Sequence, residues 1–129
     1  MLLTAWRGQA HEAALAMSLM EDPRRTFFSS PLVRLELLPK ALFHRQKDEV
    51  AFYKLYFQTV RGEEPLSPQL AESAMLLSQT HGIAAMDALH LASALRQGVE
   101  EFITSEKPGK PLFKVSNIRV ISLYDLAKN

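Results

Sequence analysis

Three carboxylates in this sequence stand where packing alone has little use for them. Asp87 lies in AAMDALHLASAL, residues 84–95, a nearly unbroken run of small and apolar residues. A helix that is apolar all round is a buried helix. An ionised carboxylate in it is costly unless paired, hydrogen-bonded or bound to a metal. Glu36 sits in LVRLELL, 32–38, between apolar neighbours, and Glu106 follows the apolar EFIT as Thr104-Ser105-Glu106-Lys107. Brought together, three such acids would repel one another unless a divalent cation neutralised them. An all-oxygen donor set beside hydroxyls suits hydrated Mg²⁺ or Mn²⁺. A cation there would activate water and stabilise a phosphodiester under attack.

Each acid also has a purely structural reading, and the spacing alone leaves both open. Asp87 fits a helix N-cap or a first-turn acid held by the helix dipole. It also fits a hydrogen bond to His90, three residues on and on the same helix face. Glu36 fits a solvated position, or an ion pair with Arg34 or Lys40. Glu106 fits an acidic turn residue, although the carboxyl ends of strands in a parallel α/β sheet are where ligands bind.

Other chemistry is poorly supplied. The four histidines (His11, His44, His81 and His90) lack close ligand spacing, which argues against zinc. The five glycines are scattered and form no phosphate-binding loop. Ser29 and Ser30 lack a nucleophile elbow. Tyr53, Tyr56 and Phe57 read as a core-facing stripe. Arg24, Arg25, Arg34, Lys40, Arg45, Lys107 and Lys110 are scattered basic residues, which usually means solvated surface.

The elements that must carry the acids are legible from local signals. Residues 9–20 are rich in Ala, Leu and Met and predict a helix. TFFS, 26–29, is β-branched and aromatic and predicts a short buried strand. Ser30-Pro31 opens a helix with Ser as N-cap and Pro at the first position, expected to kink or break near Pro39. Residues 48–60 predict another helix, with Val50, Tyr53, Leu55 or Lys54, Phe57 and Val60 on its inner side. A very short strand is expected at Pro65-Leu66. Ser67-Pro68 opens a helix to about Thr80, and a further helix covers 85–97 before Gly98. Strands are expected at 101–104 and 118–123, with a Pro-Gly turn over 106–111. Helices alternating with short buried strands predict an α/β fold with a parallel sheet covered on both faces.

Composition sets the outer bounds. A chain of 129 residues with 47% hydrophobic and 22% charged content fits a single domain, 1–129, with a proper core. It has no cysteine, which excludes thiol catalysis, disulfides and thiolate metal sites and suits a reducing, cytoplasmic setting. A formal charge of +1 makes any nucleic-acid contact a matter of local patches. No apolar run approaches a membrane span, and MLLTAWRGQ turns polar too soon for a signal peptide.

HGIAAMDALHLASALRQGVEEFITSEK, 81–107, resembles the C-terminal half of PIN domains, including the VapC-type toxin ribonucleases, and SSPLVRLELLPKA, 29–41, resembles their serine and glutamate-bearing helix. The resemblance implies a three-layer α/β/α fold with a small parallel sheet. It implies an acidic cluster holding Mg²⁺ or Mn²⁺, an RNA substrate, a homodimer and an antitoxin partner. It matches Glu36, Asp87 and Glu106 to the family's catalytic and metal-binding acids. Thr104 and Ser105 would then orient metal-bound water.

Two departures stand out. The family's fourth-strand acid is usually Asp, here Glu106. The family also begins with a strand ending in Asp, whereas MLLTAWRGQ reads as the following helix already under way. The expectation is therefore a central strand missing, with its neighbours' edges exposed, and a true start upstream or a shortened relative. Three functions follow: a metal-dependent ribonuclease, a catalytically inactive RNA- or protein-binding module, or an α/β domain whose acids are ordinary caps.

Overall fold

A computed structural model describes residues 10–123 and 125. The stretch MLLTAWRGQ, expected as a helix already under way, lies outside them. The described chain runs α1 (Ala10–Glu21), β1 (Phe28–Ser29), α2 (Pro31–Phe43), α3 (Lys47–Thr59), β2 (Gly62–Glu63), α4 (Pro68–His81), α5 (Ala85–Arg96), β3 (Glu101–Thr104), a 3₁₀ turn (Pro111–Lys114) and β4 (Arg119–Ser122). Among the described residues no helix is long and apolar enough to cross a membrane.

The helix starts are built as their sequences suggest, but by unequal means. Ser67 accepts a hydrogen bond from the Leu70 N–H at 3.1 Å, satisfying one of the donors a helix leaves unpaired at its start. Ser30 occupies the same position before Pro31, yet its hydroxyl caps nothing. α2 runs through Pro39 as one helix, so of the expected kink or break, the break does not occur. Proline removes the hydrogen bond to the carbonyl four residues back, and that residue, Leu35, is exposed, where water can replace the lost donor. α4 ends on Gly82, in the left-handed conformation at φ 71°, which glycine adopts without steric cost.

The strands are short and parallel throughout. β1 pairs with β2 and β3 with β4, the second pair in register Glu101–Arg119 through Thr104–Ser122. β2 falls at Gly62–Glu63 rather than at Pro65-Leu66. Gly62 lies flat against the Phe28 ring: a Cβ there would meet Phe28 Cδ1 at 3.3 Å and Gln97 Oε1 at 3.4 Å. A strand residue without a side chain is what permits this close approach.

Pairs this short need cover on both faces, and alternation along β3 supplies it. Phe102 and Val120 pack into a core with Leu70, Ala74, Leu91 and Ala92 of α4 and α5. Ile103 turns the other way, toward Ala16 of α1 and Phe52 of α3. Helices thus lie on both faces of the strands, as in the expected α/β/α layering. A third core joins α2 and α3 through Ala41, Tyr53, Tyr56 and Phe57. Tyr53 and Phe57 face inward as expected, but Leu55 is exposed and does not belong to the inner stripe.

Among the described residues no strand joins β1 to β3. Between them runs a cleft of about 1230 Å³ lined by both strands. At its foot Arg25, just before β1, pairs with Glu101, the first residue of β3. At its other end lie residues that follow the two strands. β1 and β3 therefore run in the same direction along the cleft.

Candidate functional site

The carboxyl ends of β1 and β3 deliver the acids to one place. β1 leads through Ser30 into α2, which carries Glu36 in its second turn. β3 leads through Ser105 to Glu106. Asp87 is in the first turn of α5, whose N-cap is Ala84, so Asp87 is a first-turn acid and not the cap. Ala88, Leu91 and Ala92 bury one side of α5, leaving Asp87 and His90 to face the cleft. Glu36, Asp87, His90 and Glu106 all line it, together with Thr104 and Ser105.

The electrostatics tie the acids together. The Asp87 carboxyl is raised above its ordinary value, first by burial and then by the negative charge of Glu106; Glu36 adds to the rise, while His90 and Lys110 oppose it. Neighbouring negative charge makes it costlier for Asp87 to ionise, and a bound cation would offset that cost.

The hydrogen bonds differ from those that local spacing suggested. His90 does not bond Asp87: its Nε2 meets Glu36 Oε1 at 2.5 Å. Nor does Glu36 pair with Arg34 or Lys40. Arg34 reaches instead to Glu63 and stacks over the Phe57 ring. Both contacts cross between elements, where sequence spacing gives no guidance. Beyond β3, the Glu106 N–H donates to Thr104 Oγ1 at 3.1 Å, and the Ser122 hydroxyl donates to the Glu106 carbonyl at 2.7 Å. The turn that presents Glu106 is thus pinned at both its amide and its carbonyl.

His90 and Tyr56 are site residues that the sequence did not single out as such. Spacing offers His90 only as a partner for Asp87 and not as a zinc ligand. Its partner is an acid 54 residues away, a pairing without a local signal. Tyr56 read as core and is buried, yet it also forms part of the cleft wall. Burial pushes its phenol up to about 12, so it stays a neutral hydroxyl.

Among the described residues no three His, Asp or Glu side chains converge closely enough to clasp a metal ion directly. The donor chemistry still fits hydrated Mg²⁺ or Mn²⁺. Mg²⁺ in particular usually keeps several waters and takes only one or two carboxylates from the protein. The mutual repulsion at Asp87 is what such a cation would relieve. Glu36, Asp87 and Glu106 are the residues that would hold it.

The basic residues near the cleft are largely engaged. Arg24 pairs with Asp22, Arg25 with Glu101 and Arg96 with Glu64. Lys110, like His90, acts on Asp87 through its charge.

The model of the PIN domain family matches residues 2–107. No curated protein and no solved structure matches the chain.

Proposed function

The chain belongs to the PIN domain family, whose members are generally nucleases, and on that premise we propose that it is a divalent-metal-dependent endoribonuclease, the toxin of a toxin–antitoxin pair. The observation that carries the reading is that Glu36, Asp87 and Glu106 line one cleft, at the carboxyl ends of β1 and β3, near enough for both glutamates to act on Asp87.

Glu36, Asp87 and Glu106 hold Mg²⁺ or Mn²⁺ through oxygen and water. The cation, when bound, supplies charge neutralisation at the phosphate and a lowered pKa for attacking water. Asp87, its carboxyl raised by burial and by the charge of Glu106, is an acid that such neutralisation would favour in its ionised form. Thr104 fixes the Glu106 turn, and Ser105 beside it orients water. Lys110 offers its charge to the RNA phosphate. The family resemblance supports an antitoxin that covers the cleft and a homodimer, and the cysteine-free sequence suits a reducing, cytoplasmic setting.

A second reading is favoured by one observation. The three acids do not converge into a direct metal clasp among the described residues, as expected of a PIN-like module that binds RNA or protein without cutting.

One assay separates the two. Labelled single-stranded RNA is incubated with the chain and Mn²⁺, beside EDTA and Asp87→Asn controls. Cleavage abolished by both controls supports the nuclease. RNA retained but uncut by a folded wild-type chain supports the binding module.

A further inference from the structure

Glu36 differs from the other two acids in how it reaches the cleft. Asp87 is fixed by its place in the first turn of α5, and Glu106 by the pinned turn after β3. Glu36 projects from α2, its side chain nearly half exposed, with rotatable bonds that nothing on its own helix restrains. Its hydrogen-bond partner is on another element: His90, one turn beyond Asp87 on α5 and largely covered, at 2.5 Å. A carboxylate can only accept, so the Nε2–H donates. That bond uses Oε1 and leaves Oε2 unspent.

We propose that His90 is a positioning residue: its Nε2–H holds the Glu36 carboxylate against the face of α5 that carries Asp87, so that Oε2 is preset for a divalent cation. The inference rests on the metal-dependent reading above and deepens it, because it says how an acid from α2 is registered to an acid from α5. Hydrogen bonds to a ligating carboxylate orient it and lower the entropy lost when a metal binds. The bond also links two helices that sequence leaves far apart, so it acts on the distance between Glu36 and Asp87 directly. A competing role is physically possible from the same contact. If His90 instead occupied Glu36 at the metal's expense, removing it would tighten metal binding. The two roles predict opposite signs.

The test is Mn²⁺ titration followed by the electron paramagnetic resonance signal of the free ion, without RNA. His90→Ala should raise the Mn²⁺ dissociation constant on the order of 10-fold. His90→Gln, whose amide N–H reaches about as far as Nε2, should recover most of the affinity. His90→Asn, polar but too short, should not, and it serves if the alanine variant fails to fold. In a Glu36→Ala background, His90→Ala should change the affinity no further, since its effect runs through that carboxylate. Thermal unfolding in EDTA reports any general loss of stability separately. Mn²⁺ affinity unchanged or tightened in folded His90→Ala or His90→Asn overturns the positioning role alone. A folded wild-type chain that binds no Mn²⁺ overturns the metal-dependent reading, and this role with it.

Discussion

The guanidinium of Arg25 donates to Glu101 Oε1 at 2.8 Å, closing the foot of the cleft between β1 and β3. Glu101 also accepts from Arg119 on β4 at 3.2 Å, so one carboxylate ties the approach to β1 to both strands of the other pair. No strand joins the two pairs among the described residues, so this contact carries part of their alignment. A double-mutant cycle with Arg25→Ala and Glu101→Ala should give a coupling of about 0.5–1 kcal/mol, the scale of a partly exposed ion pair. Urea unfolding of the four proteins measures it, and additive effects would mean that the pair aligns nothing.

Asp87 should trade stability for function. Its raised carboxyl pKa means that the folded chain binds its proton more tightly than the unfolded one. Its contribution to stability is therefore largest at low pH and falls as pH rises from the ordinary carboxylate range through the raised value. Asp87→Asn removes the charge and should stabilise the metal-free chain near neutral pH. The gain should stay below about 1 kcal/mol, because the group remains partly solvated. The same variant should lose RNA cleavage. Thermal melts in EDTA at acidic and neutral pH check the sign: the advantage of Asn should shrink on acidification.

Divalent cations should act on the same repulsion. Mg²⁺ or Mn²⁺ should raise Tm in a concentration-dependent way, because a ligand that binds only the folded chain stabilises it by mass action. EDTA should reverse the shift, and Glu36→Gln with Glu106→Gln should abolish most of it. Calorimetry showing an equal shift in that double variant would place the cation elsewhere.

The two Ser-Pro helix starts should respond differently to alanine. Ser67→Ala removes a cap that is made and should cost about 1 kcal/mol. Ser30 is buried, and its hydroxyl has no hydrogen-bond partner among the described residues. Ser30→Ala should be neutral or stabilising, since it removes an unsatisfied buried group. Chemical denaturation of both variants distinguishes them, and an equal loss would show that Ser30 works as a cap in solution.

Leu91 is fully buried in the core beneath β3. Leu91→Ala should cost about 2–5 kcal/mol and lower Tm, with the loss visible in EDTA and unrelated to metal binding.

What the sequence determined by itself was local. Ser67-Pro68 started a helix, Gly82 stopped it, EFIT formed β3 over the expected residues, and Glu36, Asp87 and Glu106 each landed on the expected element. These features depend on backbone preference and on side chains a few residues apart, which a linear reading can follow. Pro39 shows where that reading runs out, because its cost depends on whether water reaches the Leu35 carbonyl. Leu55 shows the same limit, since its period admits it to the core and packing excludes it. Only the tertiary structure decided that Glu36 meets His90 and not Arg34 or Lys40, that Arg34 turns to Glu63, and that β2 forms at Gly62. Each is settled by how whole elements pack across tens of residues. A charged side chain takes the partner that packing brings within reach, and no spacing along the chain encodes that distance.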